Sequence, residues 1–230
     1  VNQVGNYVAS FSPDQNRRYM FGILDSDIVN AYACPGGYIL ITLGTLKMIQ
    51  NEAELAMILG HEIAHIAKGH MFNTLQSMSA KEREKAAQKT DKLDKNDHVI
   101  ALRKRPSANQ KKSKSVTVLA RYLSGATGVG LSVLQAAKAG MNLILEEGLD
   151  KELELEADYL GNKYAIYAGY NATSLKKFLT RLQEKKSKIN MKILDKTHPK
   201  VSDRLSQVNK VLLEVEADKI KGALGLDRYR

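Results

Sequence analysis

The stretch that decides the fold is Asn51-Glu52-Ala53-Glu54-Leu55-Ala56-Met57-Ile58-Leu59-Gly60-His61-Glu62-Ile63-Ala64-His65. Asn51 reads as an N-cap, and Glu52 and Glu54 in the next turn suit the positive end of a helix dipole. The residues between Ala53 and Ile66 are apolar nearly all round, which marks a buried helix running to about Met78. His61, Glu62 and His65 interrupt that apolar surface, and unpaired polar groups are costly in such a place. One turn separates His61 from His65, so both imidazoles share a face and can reach one ion. Glu62 lies beside them, where it can deprotonate a water held by that ion.

A catalytic zinc needs a third protein ligand and an open fourth position. Three other histidines exist: His70, His98 and His198. On a continuous helix His70 lies about 140° round from His65, so it is expected to face elsewhere as a structural residue. His98 sits in a basic segment and is a poor candidate. The better ligand lies in Glu152-Leu153-Glu154-Leu155-Glu156-Ala157-Asp158. Glu154 and Asp158 share a helix face, and the small residues Ala157 and Gly161 beside them let a second helix come close. Glu154 is therefore expected to bind the ion, one Zn2+ per chain. Asp158 is expected to accept the free N–H of a ligand histidine. Glu156 is expected to point away into solvent.

Outward from this centre the pattern is mixed. Val1 to Met20 reads as a short helical lead-in, broken near Ser12-Pro13. Phe21 to Leu24 and Ile28 to Ala33 read as two short strands joined by a turn at Asp25-Ser26-Asp27. Pro35-Gly36-Gly37 signals a turn, and Tyr38 to Thr42 a strong strand. A helix is expected from Asp150 to about Ala168, closed by Gly169. Asn171 is expected to cap another, to about Lys186, and Val201 to about Val215 reads as a last amphipathic helix. The expected class is α+β, mainly helical, with a small antiparallel sheet packed beside the catalytic helix.

The chain has 230 residues, of which 43% are apolar, enough for a sizeable core in one domain, residues 1–230. Its one cysteine, Cys34, excludes a disulfide framework and a cysteine-cluster metal site. Lys and Arg exceed Asp and Glu by 10, and residues 81–115 alone hold 12 basic against 5 acidic residues. Residues 80–149 are read as an insertion or lid carrying this basic segment. Such a segment buries little and is expected to be solvated, or to meet an anionic lipid surface. It has no aromatic residue for base stacking, so no nucleic-acid partner is expected. The longest uncharged run, Tyr122 to Ala137, is too short and too polar to span a bilayer.

Gly60-His-Glu-Ile-Ala-His65 followed by Glu154-Leu-Glu-Ala-Asp158 resembles the gluzincin zinc metalloproteases of the HtpX, BepA and CAAX-prenyl-protease superfamily. Asn30-Ala31, then Pro35-Gly36-Gly37-Tyr38-Ile39, resembles the strand that precedes that family's catalytic helix. Thr197-His198-Pro199 with Arg204 resembles its C-terminal His-Pro motif. The resemblance implies a zincin-like core, closest to a bare, soluble BepA-like catalytic domain. It implies that His198 returns over the metal to donate to the oxyanion, or occupies the open metal position at rest. Arg204 would orient that loop or pair with a carboxylate. Asn30, Ala31, Gly37, Tyr38 and Ile39 would contact substrate.

The expected activity is zinc-dependent endopeptidase hydrolysis. Glu62 would act as general base and the strand Tyr38 to Thr42 as an edge for extended or unfolded protein. The resemblance places the protein in the bacterial periplasm or at the outer membrane, after removal of an N-terminal leader. Two other readings stay open. One is a zinc-bearing chaperone or assembly factor whose protease activity is latent or plugged. The other is a peripheral module that contacts anionic membrane through the basic segment.

Overall fold

The computed structural model describes residues 1–34, 36–77, 98–100, 148–185, 194–217 and 222. In chain order the elements are α1 (Asn2–Ala9), β1 (Met20–Asp25), β2 (Ala31–Cys34), β3 (Tyr38–Thr42), α2 (Leu43–Met48), α3 (Glu52–Ala67), α4 (His70–Ser77), β4 (His98–Ile100), α5 (Lys151–Tyr167), α6 (Ser174–Glu184), α7 (Leu194–Thr197) and α8 (Val201–Glu214). The class is α+β and mainly helical.

The sheet has the order β2-β3-β1-β4 and is mixed, not purely antiparallel. β1 runs parallel to β3, with Phe21 opposite Ile39, while β2 and β3 are antiparallel, with Ala33 opposite Ile39. β1 and β2 are thus not partners across a turn. The chain between them is held instead by the end of β3. Asn30 accepts hydrogen bonds at its carbonyl from the Thr42 and Thr45 hydroxyls, at 2.9 and 2.8 Å, and from the Thr42 amide at 3.1 Å. Those bonds set β3 in the middle. The β2–β3 turn needs its glycines: Gly36 and Gly37 have φ of 83° and 88°, a region that other residues rarely adopt.

β4 lies in the basic segment and pairs antiparallel with β1, Leu24 opposite Val99. These three residues belong to the sheet, which corrects the reading of the segment as wholly solvated. The remainder of residues 80–147, including the uncharged run from residue 122, lies outside the described residues. Among the described residues no helix is long and apolar enough to cross a membrane.

α3 is buried from Glu52 through His65 and forms the axis of the core. Asn51 caps it as expected, its side chain accepting the Glu54 amide at 3.0 Å. The buried acids of its first turn are partnered. Tyr170 donates to Glu52 at 2.7 Å, and Arg181 reaches from α6 to Glu54 at 2.5 Å. α3 does not continue to Met78. Gly69, with φ of 66°, turns the chain in the left-handed conformation that ends helices, and α4 starts afresh at His70.

α5 is capped by Asp150, which accepts the Glu152 amide at 3.1 Å. It crosses α3 with the two backbones in contact. A Cβ on Gly60 would run into the Gly161 carbonyl, and a Cβ on Gly161 into the Gly60 carbonyl and the His61 amide. Gly161→Ala should therefore push the helices apart. Overpacking of this kind costs about 1–3 kcal/mol, which lowers the melting midpoint by roughly 2–4 °C per kcal/mol in a chain of this size. The same variant should bind metal more weakly, because His61 and Glu154 flank the crossing. Calorimetry and metal titration read both effects; wild-type values in both would disprove the contact.

Candidate metal centre

Three side chains that the sequence singles out converge between α3 and α5. His61 Nε2 and His65 Nε2 lie 3.0 Å apart. Glu154 reaches both, with Oε2 3.5 Å from His61 Nε2 and Oε1 3.5 Å from His65 Nε2. His198 arrives from the segment between α7 and α8, its Nε2 3.5 Å from Glu154 Oε2. Donor atoms of His61, Glu154 and His198 all lie within 4.8 Å of one another. Two nitrogens from one helix, a carboxylate from a second and an imidazole from a loop are the donor set that zinc takes in a tetrahedral site. Glu154 Oε2 is buried and has no hydrogen-bond partner among the described residues. A cation would satisfy it, and would also explain two imidazole nitrogens turned toward each other, so the residues fit a metal.

Each α3 histidine is held from behind. His61 Nδ1 lies 2.9 Å from Asp158 Oδ1, and Arg204 grips the same carboxylate through Nε and Nη2, both at 2.8 Å. Asp158 is thus a pure acceptor, its pKa held well below the usual carboxylate range. Burial opposes this shift, but the Arg204 charge and hydrogen bond outweigh it. His61 Nδ1 donates to Asp158, which leaves Nε2 as the atom that would face an ion; without one, burial lowers the ring's pKa but Asp158 and Glu154 raise it to about 10. Arg204 pairs with a carboxylate, one of the two roles that the resemblance implied.

His65 has a longer support, which the sequence reading missed. Its Nδ1 lies 3.0 Å from His70 Nδ1, and His70 Nε2 lies 3.0 Å from Glu156 Oε2. Lys68 bonds the other oxygen of Glu156 at 2.9 Å. His70 does not face elsewhere, because the turn at Gly69 breaks the continuous helix assumed for it. Glu156 does not point freely into solvent. The signal was present in the sequence: a glycine four residues past the second histidine marks a helix end.

Glu62 stands beside the donors without joining them. Burial raises its carboxyl to about 7, against the lowering influence of His61 and of a hydrogen bond from the Ala33 backbone. The Ala33 amide belongs to β2, whose outer edge has no neighbour among the described strands, so that edge faces Glu62. His198 is pushed down to about 4, chiefly by burial. Glu154 is held at about 2. Burial would raise it, but His198, His65 and His61 outweigh burial.

A small cleft opens beside Glu62 and His198. Val29, Ile58, Leu175, Phe178, Leu182 and Leu194 give it apolar walls, and Asn30 and Ala31 line its rim. Asn30 Nδ2 is buried without a hydrogen-bond partner among the described residues. The other expected substrate contacts, Gly37, Tyr38 and Ile39, have main chains that are already engaged within the sheet. β3 is a central strand, so the main chains of Tyr38 and Ile39 pair with β2 on one side and β1 on the other. The Gly37 carbonyl is taken by the Met20 amide at 2.9 Å. Among the described strands β2 and β4 are the edges, and β2 is the one beside Glu62, because β3 inserts between β1 and β2.

The sequence matches peptidase family M48 over residues 1–212. It is 23% identical over 215 residues to a Vibrio cholerae protein inferred to be a beta-barrel assembly-enhancing protease, covering 90% of this chain and 37% of that protein. It is 28% identical over 76 residues to the beta-barrel assembly-enhancing protease of Yersinia pestis, 33% of this chain and 16% of that protein. A 52-residue stretch is 36% identical to the human mitochondrial metalloendopeptidase OMA1, 23% of this chain and 10% of that protein. The chain thus spans well under half the length of these relatives.

Glu154 is the carboxylate of α5 that reaches both histidines of α3, which makes it the candidate ligand from the second helix. Glu154→Gln should leave the fold intact and abolish retention of metal after dialysis, read by elemental analysis against wild type. A variant that kept one equivalent per chain would remove Glu154 from the centre.

Proposed function

The chain belongs to peptidase family M48, a family of metal-dependent hydrolases, and from that premise we propose that it is a zinc endopeptidase of unfolded or extended polypeptide. The observation that carries this reading is the convergence of His61, His65, Glu154 and His198 next to Glu62, a carboxylate left out of the donor set and facing an open strand edge. His61, His65 and Glu154 would hold the zinc. When bound, it supplies a Lewis acid that acidifies the attacking water and polarises the scissile carbonyl.

The rest falls to the chain's own residues. Glu62 accepts the proton of the attacking water at its carboxylate and delivers it to the leaving amine. Burial tunes this group toward neutrality, where a base that must also act as an acid works best. His198, with Thr197 Oγ1 2.9 Å from its Nδ1, places Nε2 over the reacting carbonyl. As a donor there it stabilises charge that develops in the transition state. The outer edge of β2 pairs with the substrate main chain, which selects extended segments over folded ones. Asn30 Nδ2 donates to a substrate carbonyl, and the apolar cleft takes an apolar side chain next to the scissile bond.

The two bacterial relatives are named for beta-barrel assembly, which supports a place in the bacterial envelope, the periplasm or the outer-membrane surface. Contact of the basic segment with anionic membrane belongs to the same proposal. A second reading, a latent protease that acts in assembly, draws on one observation. His198 Nε2 already stands among the donor atoms and can fill the position that water needs.

Casein hydrolysis with and without a chelator tests the activity. Glu62→Gln should keep zinc and lose about 10² to 10⁴ in rate, the usual worth of a general base. Turnover close to wild type would rule out this mechanism. His198→Phe separates the two readings. A fall in kcat with KM unchanged identifies a transition-state donor, whereas a rise in activity identifies a resting block.

A further inference from the structure

The two histidines of α3 receive different outer supports, and the longer one has no part in the chemistry above. We propose that His70, anchored by Glu156, is a positioning residue that fixes the tautomer and ring orientation of His65 as Asp158 and Arg204 fix those of His61. The proposal rests on the reading of His65 as a metal ligand.

The hydrogen-bond directions follow from one end of the chain of contacts. Glu156 accepts from Lys68 on Oε1 and faces His70 Nε2 with Oε2, at 2.9 and 3.0 Å. A carboxylate so engaged has no proton to give, so His70 carries its proton on Nε2. With the ring neutral, His70 Nδ1 then holds a lone pair. That lone pair lies 3.0 Å from His65 Nδ1, which must be the donor. His65 Nε2 is left as a lone pair, 3.5 Å from Glu154 Oε1 and 3.0 Å from His61 Nε2, where a ligand atom has to be. The arrangement leaves no other assignment for two neutral rings.

A filler role for His70 would not need this alignment. The ring is 2% exposed and could satisfy its nitrogens on backbone carbonyls. Instead both nitrogens are spent on side chains, and the backbone turns at Gly69 to bring them there. The two supports also start from one helix. Glu156 and Asp158 sit two residues apart on α5, and each supports one histidine of α3, Asp158 directly and Glu156 through His70.

The test compares His70→Leu, which removes the acceptor, with His70→Gln. The Gln amide can accept from His65 through Oε1 and donate to Glu156 through Nε2. Zinc affinity is measured by competition with a chromophoric chelator, and Co(II) substitution reports ligand geometry by its visible spectrum. Loss of such supports typically costs 10–100-fold in metal affinity. His70→Leu should lose affinity in that range and alter the cobalt spectrum, while His70→Gln should stay within about threefold of wild type. Long-range ¹H–¹⁵N spectra of the wild-type histidine rings give a readout independent of any variant's folding. They should show the His65 proton on Nδ1 and the His70 proton on Nε2. A His65 protonated on Nε2 alone, or a His70→Leu protein with wild-type affinity and cobalt spectrum, overturns the relay while leaving the metal reading intact. Wild-type protein that takes up no zinc overturns both.

Discussion

Where α3 crosses α5, the backbones of Gly60 and Gly161 lie so close that neither position can carry a Cβ. The metal-facing side chains are measured from this point. His61 follows Gly60 directly, and His65 is one turn further along α3. On α5, Asp158 and Glu154 precede Gly161 by one and two turns along the same stripe. Fixing the crossing fixes the separation of a histidine pair on one helix from a carboxylate on the other. Because α3 is buried on nearly every side, the crossing cannot relax by sliding, and the donors are held in place before any ligand arrives. Side chains further out then lock individual rings, through Arg204 and Asp158 on one side and His70 and Glu156 on the other.

The centre was readable in the sequence to the extent that it is helical and local. His61, Glu62, His65, Glu154 and Asp158 follow from a buried stretch and an i, i+4 face, and the caps Asn51 and Asp150 from their residue types. What the sequence reading missed depends on how far a helix runs. Placing His70 round a helix that ended three residues earlier put it on the wrong side. Weighing Gly69 as a terminator would have moved it toward His65. Glu156 was misread for a related reason. Its face of α5 looks solvent-directed until a second chain segment is laid over it, and only the turn into α4 does that. His198 and Arg204 sit too far along the chain for any spacing rule, and only the resemblance brought them in.

The sheet shows a different limit. Strand positions were legible from β-branched and aromatic runs, but strand order was not. A turn signal at Asp25-Ser26-Asp27 suggests a hairpin. Hydrogen bonds of Thr42 and Thr45 to the Asn30 carbonyl settle the matter otherwise, and they join residues a dozen or more apart that no local pattern links. The consequence reaches the site. With β3 in the middle, the strand exposed beside Glu62 is β2, and the Ala33 amide that touches the Glu62 carboxylate belongs to the edge on which an extended chain would lie. The proposed base and the proposed substrate-pairing edge are therefore positioned by the same strand.

Charge explains why these parts belong together. Glu62, Glu154 and Asp158 are buried within one small volume, and Arg204 is the buried guanidinium that faces them. Carboxylates out of water cost several kcal/mol each unless they are compensated. Arg204 neutralises Asp158 by a bidentate pair, which leaves Glu154 and Glu62 to be balanced by something else. Burial opposes a charge on His61, but the Asp158 contact favours its protonated form and raises it to about 10, so without an ion His61 is the cation beside them. A divalent ion held by His61, His65 and Glu154 would take the place of that proton and satisfy the orphaned oxygen of Glu154. It would also lower the cost of ionising Glu62, whose burial pushes the other way. The raised carboxyl and the metal-facing donors are thus two sides of one balance. The carboxylate that burial makes basic is kept near its working point by the charge it acts beside.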